Sequence, residues 1–152
     1  MNVVTSTEQI NKQLARRAAI LYGVAAFVSL IGLADSIYLT VEHLAGRSVR
    51  CTIVAGCSAV LSSRYAAFRG IPLALIGAVA YFTVFSLATL AAFGYEWVSK
   101  FLAVIVAGMF VTTVWLFYLQ AIEIKAFCQF CLLSAAVTTV LTVLVFMARR
   151  RG

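Results

Sequence analysis

The chain has 152 residues, 64% of them hydrophobic and only 11% charged, with a formal net charge of +7. A soluble domain of this size carries roughly a quarter charged residues. The composition therefore excludes a water-soluble globular fold and points to one polytopic membrane domain covering 1–152. The positive residues sit at the ends of apolar runs and not along one face, which is the pattern that orients membrane helices and argues against nucleic-acid binding.

Residues 1–17 are polar, and the apolar run that follows is too long for the core of a cleaved signal peptide. The first helix is expected to act as an uncleaved signal anchor. A bilayer core takes about 20 apolar residues as helix, and four segments meet that length: 18–41, 71–93, 101–122 and 127–148. The expected fold is an all-α, four-transmembrane-helix bundle. Pro72, the single proline, opens the second span at a helix start, where its missing N–H costs nothing. Arg149, Arg150 and Arg151 stop the fourth.

Between the first two spans lies the one long extramembrane stretch, 43–70. Within it, 58–68 has helical apolar spacing at Val60, Leu61, Tyr65 and Phe68, and predicts a short amphipathic helix lying on the mouth of the bundle.

Four spans place both termini on one side of the membrane. That side holds Lys12, Arg16, Arg17, Lys100, Arg149, Arg150 and Arg151, against Arg47, Arg50, Arg64, Arg69 and Lys125 on the other. The tightest clusters flank the first and last spans, so the termini are expected in the cytoplasm. All four cysteines then fall on the outer side, a compartment that permits disulfides.

Those cysteines form two pairs. Cys51 and Cys57 lie in the polar loop, and Cys128 and Cys131 make a C-x-x-C at the start of the last helix. A helix N-terminus favours thiolate over thiol at Cys128, and Lys125 is placed to add to this. Cys131 lies one turn deeper, where a quinone head could sit. Thiol–disulfide exchange runs by thiolate attack through a mixed disulfide, so pairs that meet can hand electrons on. Two structural disulfides are the alternative. Zinc is disfavoured, because five residues separate Cys51 from Cys57 and zinc knuckles use about two to four.

Asp35 is the one acid well inside a span and a functional suspect by default. It is a candidate relay for quinone protons, with a solvated residue near the interface as the alternative. The same residue keeps a small four-span transporter open as a second function. A structural subunit held by passive disulfides is a third.

The segment Cys57-Ser-Ala-Val-Leu-Ser-Ser-Arg-Tyr65, with a cysteine a few residues upstream, Gly70-Ile-Pro72 opening the second span and a C-x-x-C opening the last, resembles the vitamin K epoxide reductase family of quinone-linked thiol oxidoreductases. The DsbB-like proteins share four spans and two pairs but place the C-x-x-C in the first outer loop, the reverse of the order here. The resemblance implies that Cys51 exchanges with an external partner, that Cys57 exchanges with Cys128, and that Cys131 stands beside the quinone. It implies a place near the active site for Ser63, and Phe127 and Phe130 are further candidate quinone contacts.

Vertebrate members carry two polar pocket residues at positions that fall approximately on Leu73 and Ala135 here. That departure favours a bacterial-type enzyme reducing an ordinary respiratory quinone, ubiquinone or menaquinone, over one reducing vitamin K epoxide, with a vitamin K-type naphthoquinone left open as the acceptor. The expected partner is a separate periplasmic thioredoxin-fold, DsbA-like protein, since no fused thioredoxin-like domain follows. The expected location is the inner (cytoplasmic) membrane, with the cysteines on the periplasmic side.

Overall fold

The computed structural model describes residues 2–49, 51–53 and 56–151. Arg50, counted above with the outer positive residues, lies outside them.

Helix α1 (Asn2–Leu44) is 43 residues long, about 65 Å at ~1.5 Å per residue. A bilayer core is only about 30 Å thick, so much of α1 must lie beyond it. Residues 2–17 are exposed throughout and burial begins at Ala18. The polar start thus extends the first span as solvated helix, decorated by a Glu8–Lys12 ion pair at 3.0 Å. Such exposed pairs add little stability.

The loop after α1 carries helix α2 (Cys57–Leu61). The helix expected over 58–68 is therefore only its first part. It stops because the Ser62 hydroxyl donates to the Ser58 carbonyl at 2.5 Å and the Ser63 hydroxyl to the Val60 carbonyl at 2.7 Å, local bonds that compete with a continuing helical ladder. The chain then folds into a hairpin of β1 (Ala67–Phe68) and β2 (Ile71–Pro72), paired Ala67 to Pro72 and Phe68 to Ile71. Its two turn residues, Arg69 and Gly70, both have positive φ, 53° and 84°, which is the tight hairpin geometry that glycine favours. Tyr65 and Phe68 consequently share no helical face with Val60 and Leu61.

Pro72 ends the hairpin in extended conformation, and helix α3 (Leu73–Ala92) begins one residue later. Proline thus sits at the boundary and not as the first helical residue. Helix α4 (Glu96–Leu119) follows a turn through Gly94, then widens into a π-helical turn over Gln120–Ile124. Lys125 reverses the chain in left-handed conformation, φ 51°, and helix α5 (Gln129–Arg151) closes the bundle. It starts two residues later than the sequence expects, leaving Cys128 just ahead of it.

All four long helices have the length and apolarity to cross a membrane. α1 packs along both α3 and α5, and α4 completes the bundle against α5 and α3. Ala25, Tyr81, Val84, Leu102, Val106, Leu141 and Val145 fill the interior. Gly32 lets α1 approach the Tyr81 ring, which a Cβ at that position would overlap, a use of small residues typical of membrane helix packing. Phe27, Val79, Phe82, Val104 and Val111 face outward, as lipid contact allows.

Candidate active site

The two cysteine pairs, far apart in sequence, meet at one end of the bundle. Cys57, the first residue of α2, is 1% exposed and Cys128 is fully buried. Together with Val60 they form a small core of their own, with Cys51, Ile124, Phe130 and Cys131 packed against it. Cys51 and Cys57 are joined as a disulfide, while Cys128 and Cys131 are free thiols.

Backbone fit explains how closely the loop seats. A Cβ on Gly56 would stand 2.5 Å from the Phe127 carbonyl oxygen and 3.0 Å from its nitrogen. The clash is with main-chain atoms, so the position requires space that only glycine leaves.

Two glutamines that sequence reasoning passed over complete the frame. Gln120, nearly fully buried in the π-helical turn, accepts the Cys128 backbone N–H on Oε1 at 3.2 Å. Its main-chain carbonyl also accepts the Ala126 N–H at 3.3 Å. Gln129, between the two cysteines of the C-x-x-C, accepts the N–H groups of Thr52 and Ile53 at 3.2 and 3.0 Å. Nothing in the sequence marks the π-helical turn that places Gln120 here.

The Cys128 thiol is lowered to about 7, by a hydrogen bond from Cys131 first and by the backbone N–H groups of Cys131 and Phe130, against burial and the charge of Asp35. Helix-start N–H groups therefore act as the sequence expects. Lys125 does not contribute: it is exposed in its left-handed turn and is not among the groups that lower the thiol.

A cavity of about 260 Å³ lies within the bundle below α2. Its walls are mainly apolar, with polar groups from Asp35, Ser36, Tyr81, Cys131, Ser134 and Thr138. This is the usual make-up of a small-molecule site. Leu73 and Ala135 both stand on its wall, and both are apolar.

Tyr81, also unforeseen, organises the far side. Its hydroxyl donates to the Ser134 carbonyl at 3.0 Å and bonds the hydroxyls of Ser134 at 2.7 Å and Thr138 at 2.9 Å. Asp35 is 8% exposed, and its Oδ2 has no hydrogen-bond partner among the described residues. A buried acceptor left unpaired is costly, so this oxygen is suited to meeting a ligand or a proton.

Of the expected quinone contacts, Cys131 and Ser63 line the cavity and Phe127 and Phe130 do not. Ser63 already donates its hydroxyl hydrogen to Val60 and is left as an acceptor. Phe127 lies before α5 and packs on Phe117 at 5.9 Å, while Phe130 packs on Tyr38 at 5.4 Å. In a helix, residues three apart share a face and their immediate neighbours turn away from it, which separates Phe130 from Cys131.

A reduced thiol pair packed against a disulfide can exchange electrons with it, and here the two pairs lie together in a four-span membrane bundle. The chain is a membrane thiol oxidoreductase of the two-pair kind. The model of the Vitamin K epoxide reductase family matches residues 24–146, from the middle of α1 to near the end of α5, and the chain belongs to that family. The family is quinone-linked in general and pairs with thioredoxin-like redox proteins.

Proposed function

We propose that this protein is a single integral membrane unit that oxidises a separate thioredoxin-fold, DsbA-like partner and delivers the electrons to a membrane quinone, so sustaining disulfide formation outside the cytoplasm. The observation that carries this reading is spatial: Cys57 and Cys128 share one buried cluster, and Cys131 of the same pair lines the intramembrane cavity.

The partner's dithiol reduces the Cys51–Cys57 disulfide by exchange at Cys51 and leaves as a disulfide. The Cys57 thiolate then attacks Cys128 of the oxidised second pair, forming a Cys57–Cys128 bond and releasing Cys131 as thiolate. Attack by Cys51 on Cys57 closes the first disulfide again and frees Cys128.

A quinone supplies a two-electron, two-proton acceptor. DsbA-type partners are already strong oxidants near roughly −120 mV, so the acceptor must be more oxidising still. Cys131, Ser63, Tyr81 and Asp35 border the space that would hold the ring, and the unpartnered Asp35 oxygen is placed to carry a proton. The apolar Leu73 and Ala135 favour an ordinary respiratory quinone, ubiquinone or menaquinone, over vitamin K epoxide. Charge distribution supports cytoplasmic termini in an inner membrane, with the cysteines on the periplasmic side.

The test uses purified protein, a reduced DsbA-like protein and ubiquinone-1 or menadione. Wild type should reduce the quinone in step with partner oxidation, and Cys131→Ala should abolish it. Normal turnover by Cys131→Ala would refute the relay.

A further inference from the structure

The loop that carries Cys51 is held to α5 by one side chain. Gln129 Oε1 accepts both the Thr52 and Ile53 N–H groups, at 3.2 and 3.0 Å. Among the described residues no other hydrogen bond ties 51–53 to the bundle. Thr52 and Ile53 are exposed, Ile53 at 84%, so burial of their side chains does not anchor the segment. The other restraints on Cys51 are its packing against the Cys57–Val60–Cys128 core and its disulfide to Cys57, and the disulfide is the bond that opens when the first pair is reduced.

We infer that Gln129 is a positioning residue that keeps Cys51 within reach of Cys57 whenever their disulfide is open. This rests on the relay reading above. With Cys57 bonded to Cys128, no side-chain cross-link holds Cys51 in place. The Gln129 oxygen, by retaining the two adjacent N–H groups, raises the effective concentration of the Cys51 thiolate at the Cys57 sulfur. In the step served, the Cys51–Cys57 bond forms, the Cys57–Cys128 bond breaks, and the electron pair leaves with the Cys128 sulfur as thiolate. The exchange is internal and needs no other oxidant. An amide oxygen suits this role because it accepts two hydrogen bonds at once, and its seat between Cys128 and Cys131 places loop and acceptor pair on one rigid helix start.

The experiment uses the full chain carrying Cys131→Ala, which retains three cysteines and, when singly oxidised, partitions between a Cys51–Cys57 and a Cys57–Cys128 disulfide. Mass spectrometry after acid quenching and alkylation gives the ratio, without partner or quinone. Gln129→Met removes the acceptor and Gln129→Glu keeps it, and both are good helix formers of similar length. Gln129→Met should move the ratio about tenfold toward Cys57–Cys128, the scale of two neutral hydrogen bonds, and Gln129→Glu should restore it at the plateau of the pH profile. An unchanged ratio in Gln129→Met, or a Gln129→Glu chain that behaves like it, overturns the inference.

A control separates this from the relay itself. The Cys51→Ala/Cys131→Ala chain should form the Cys57–Cys128 bond on mild oxidation. If it forms and Gln129→Met has no effect, the positioning role falls and the relay stands. If it does not form, the relay falls and the positioning role falls with it.

Discussion

Gly56→Ala should disable electron hand-over without unfolding the protein. The added Cβ would lie 2.5 Å from the Phe127 carbonyl oxygen, whereas ordinary contacts begin at 3.4 Å. The loop must therefore back away from the start of α5 by roughly 1 Å. The neighbour it meets is backbone and not a pliable side-chain tip, and Cys57 is the very next residue. A misplacement of about 1 Å at a reacting group costs on the order of 10²-fold in rate. Gly108→Ala is the matched control, because a Cβ there meets nothing within 4 Å and alanine in mid-helix stabilises by roughly 0.5–1 kcal/mol. The assay is stopped-flow exchange after a pH jump in the Cys131→Ala background, in which the Cys128 thiolate attacks the Cys51–Cys57 disulfide, the Cys57–Cys128 bond forms and Cys51 leaves as thiolate. It should slow by about a hundredfold in Gly56→Ala and not at all in Gly108→Ala. A Gly56→Ala chain that exchanges at the control rate would show that the close seating of this loop does not govern the reaction.

Asp35→Asn should lower quinone reduction by about 10²–10⁴-fold, the usual worth of a positioned proton carrier, while leaving Cys57–Cys128 exchange intact; full activity would exclude Asp35 from proton transfer. Asp35→Leu, which removes an unpartnered buried acceptor, should also raise the thermal midpoint, by an amount equivalent to about 1–3 kcal/mol. Because the Cys128 thiol is lowered, chiefly by its bond from Cys131, attack by Cys128 on the Cys51–Cys57 disulfide should rise with pH and reach half its maximum below the ordinary thiol range. Cys131→Ala, by removing the main cause, should push the midpoint upward toward the ordinary thiol range of about 8.5. An unmoved midpoint in single-turnover pH profiles would contradict that cause.

The amino-acid sequence alone carries the four spans, the two cysteine pairs, their order and the family resemblance. Each of these depends on local composition or short spacing: some 20 apolar residues must cross as helix wherever they occur, and a C-x-x-C at a helix start has its chemistry set within one turn. Expectations weakened where local signals compete. Val60, Leu61, Tyr65 and Phe68 have helical spacing, yet Ser62, Ser63 and the Arg69–Gly70 turn break that segment into a short helix and a hairpin.

What only the tertiary structure decided is which side chains face each other. The spanning helices are apolar on nearly every side, because lipid accepts what the core accepts, so their sequences carry little trace of an inward face. Tyr81 became the organiser of the cavity wall, Gln120 and Gln129 became the holders of the two cysteine segments, and Phe127 and Phe130 turned away from the cavity. In each case the deciding contact is with a different element: α5 for Tyr81, the α4–α5 turn and the Cys51 loop for the glutamines, α4 and α1 for the two phenylalanines. The cysteines announce the chemistry from their own spacing, but the distance between Cys57 and Cys128 is set by a helix turn and a missing Cβ that no local pattern encodes.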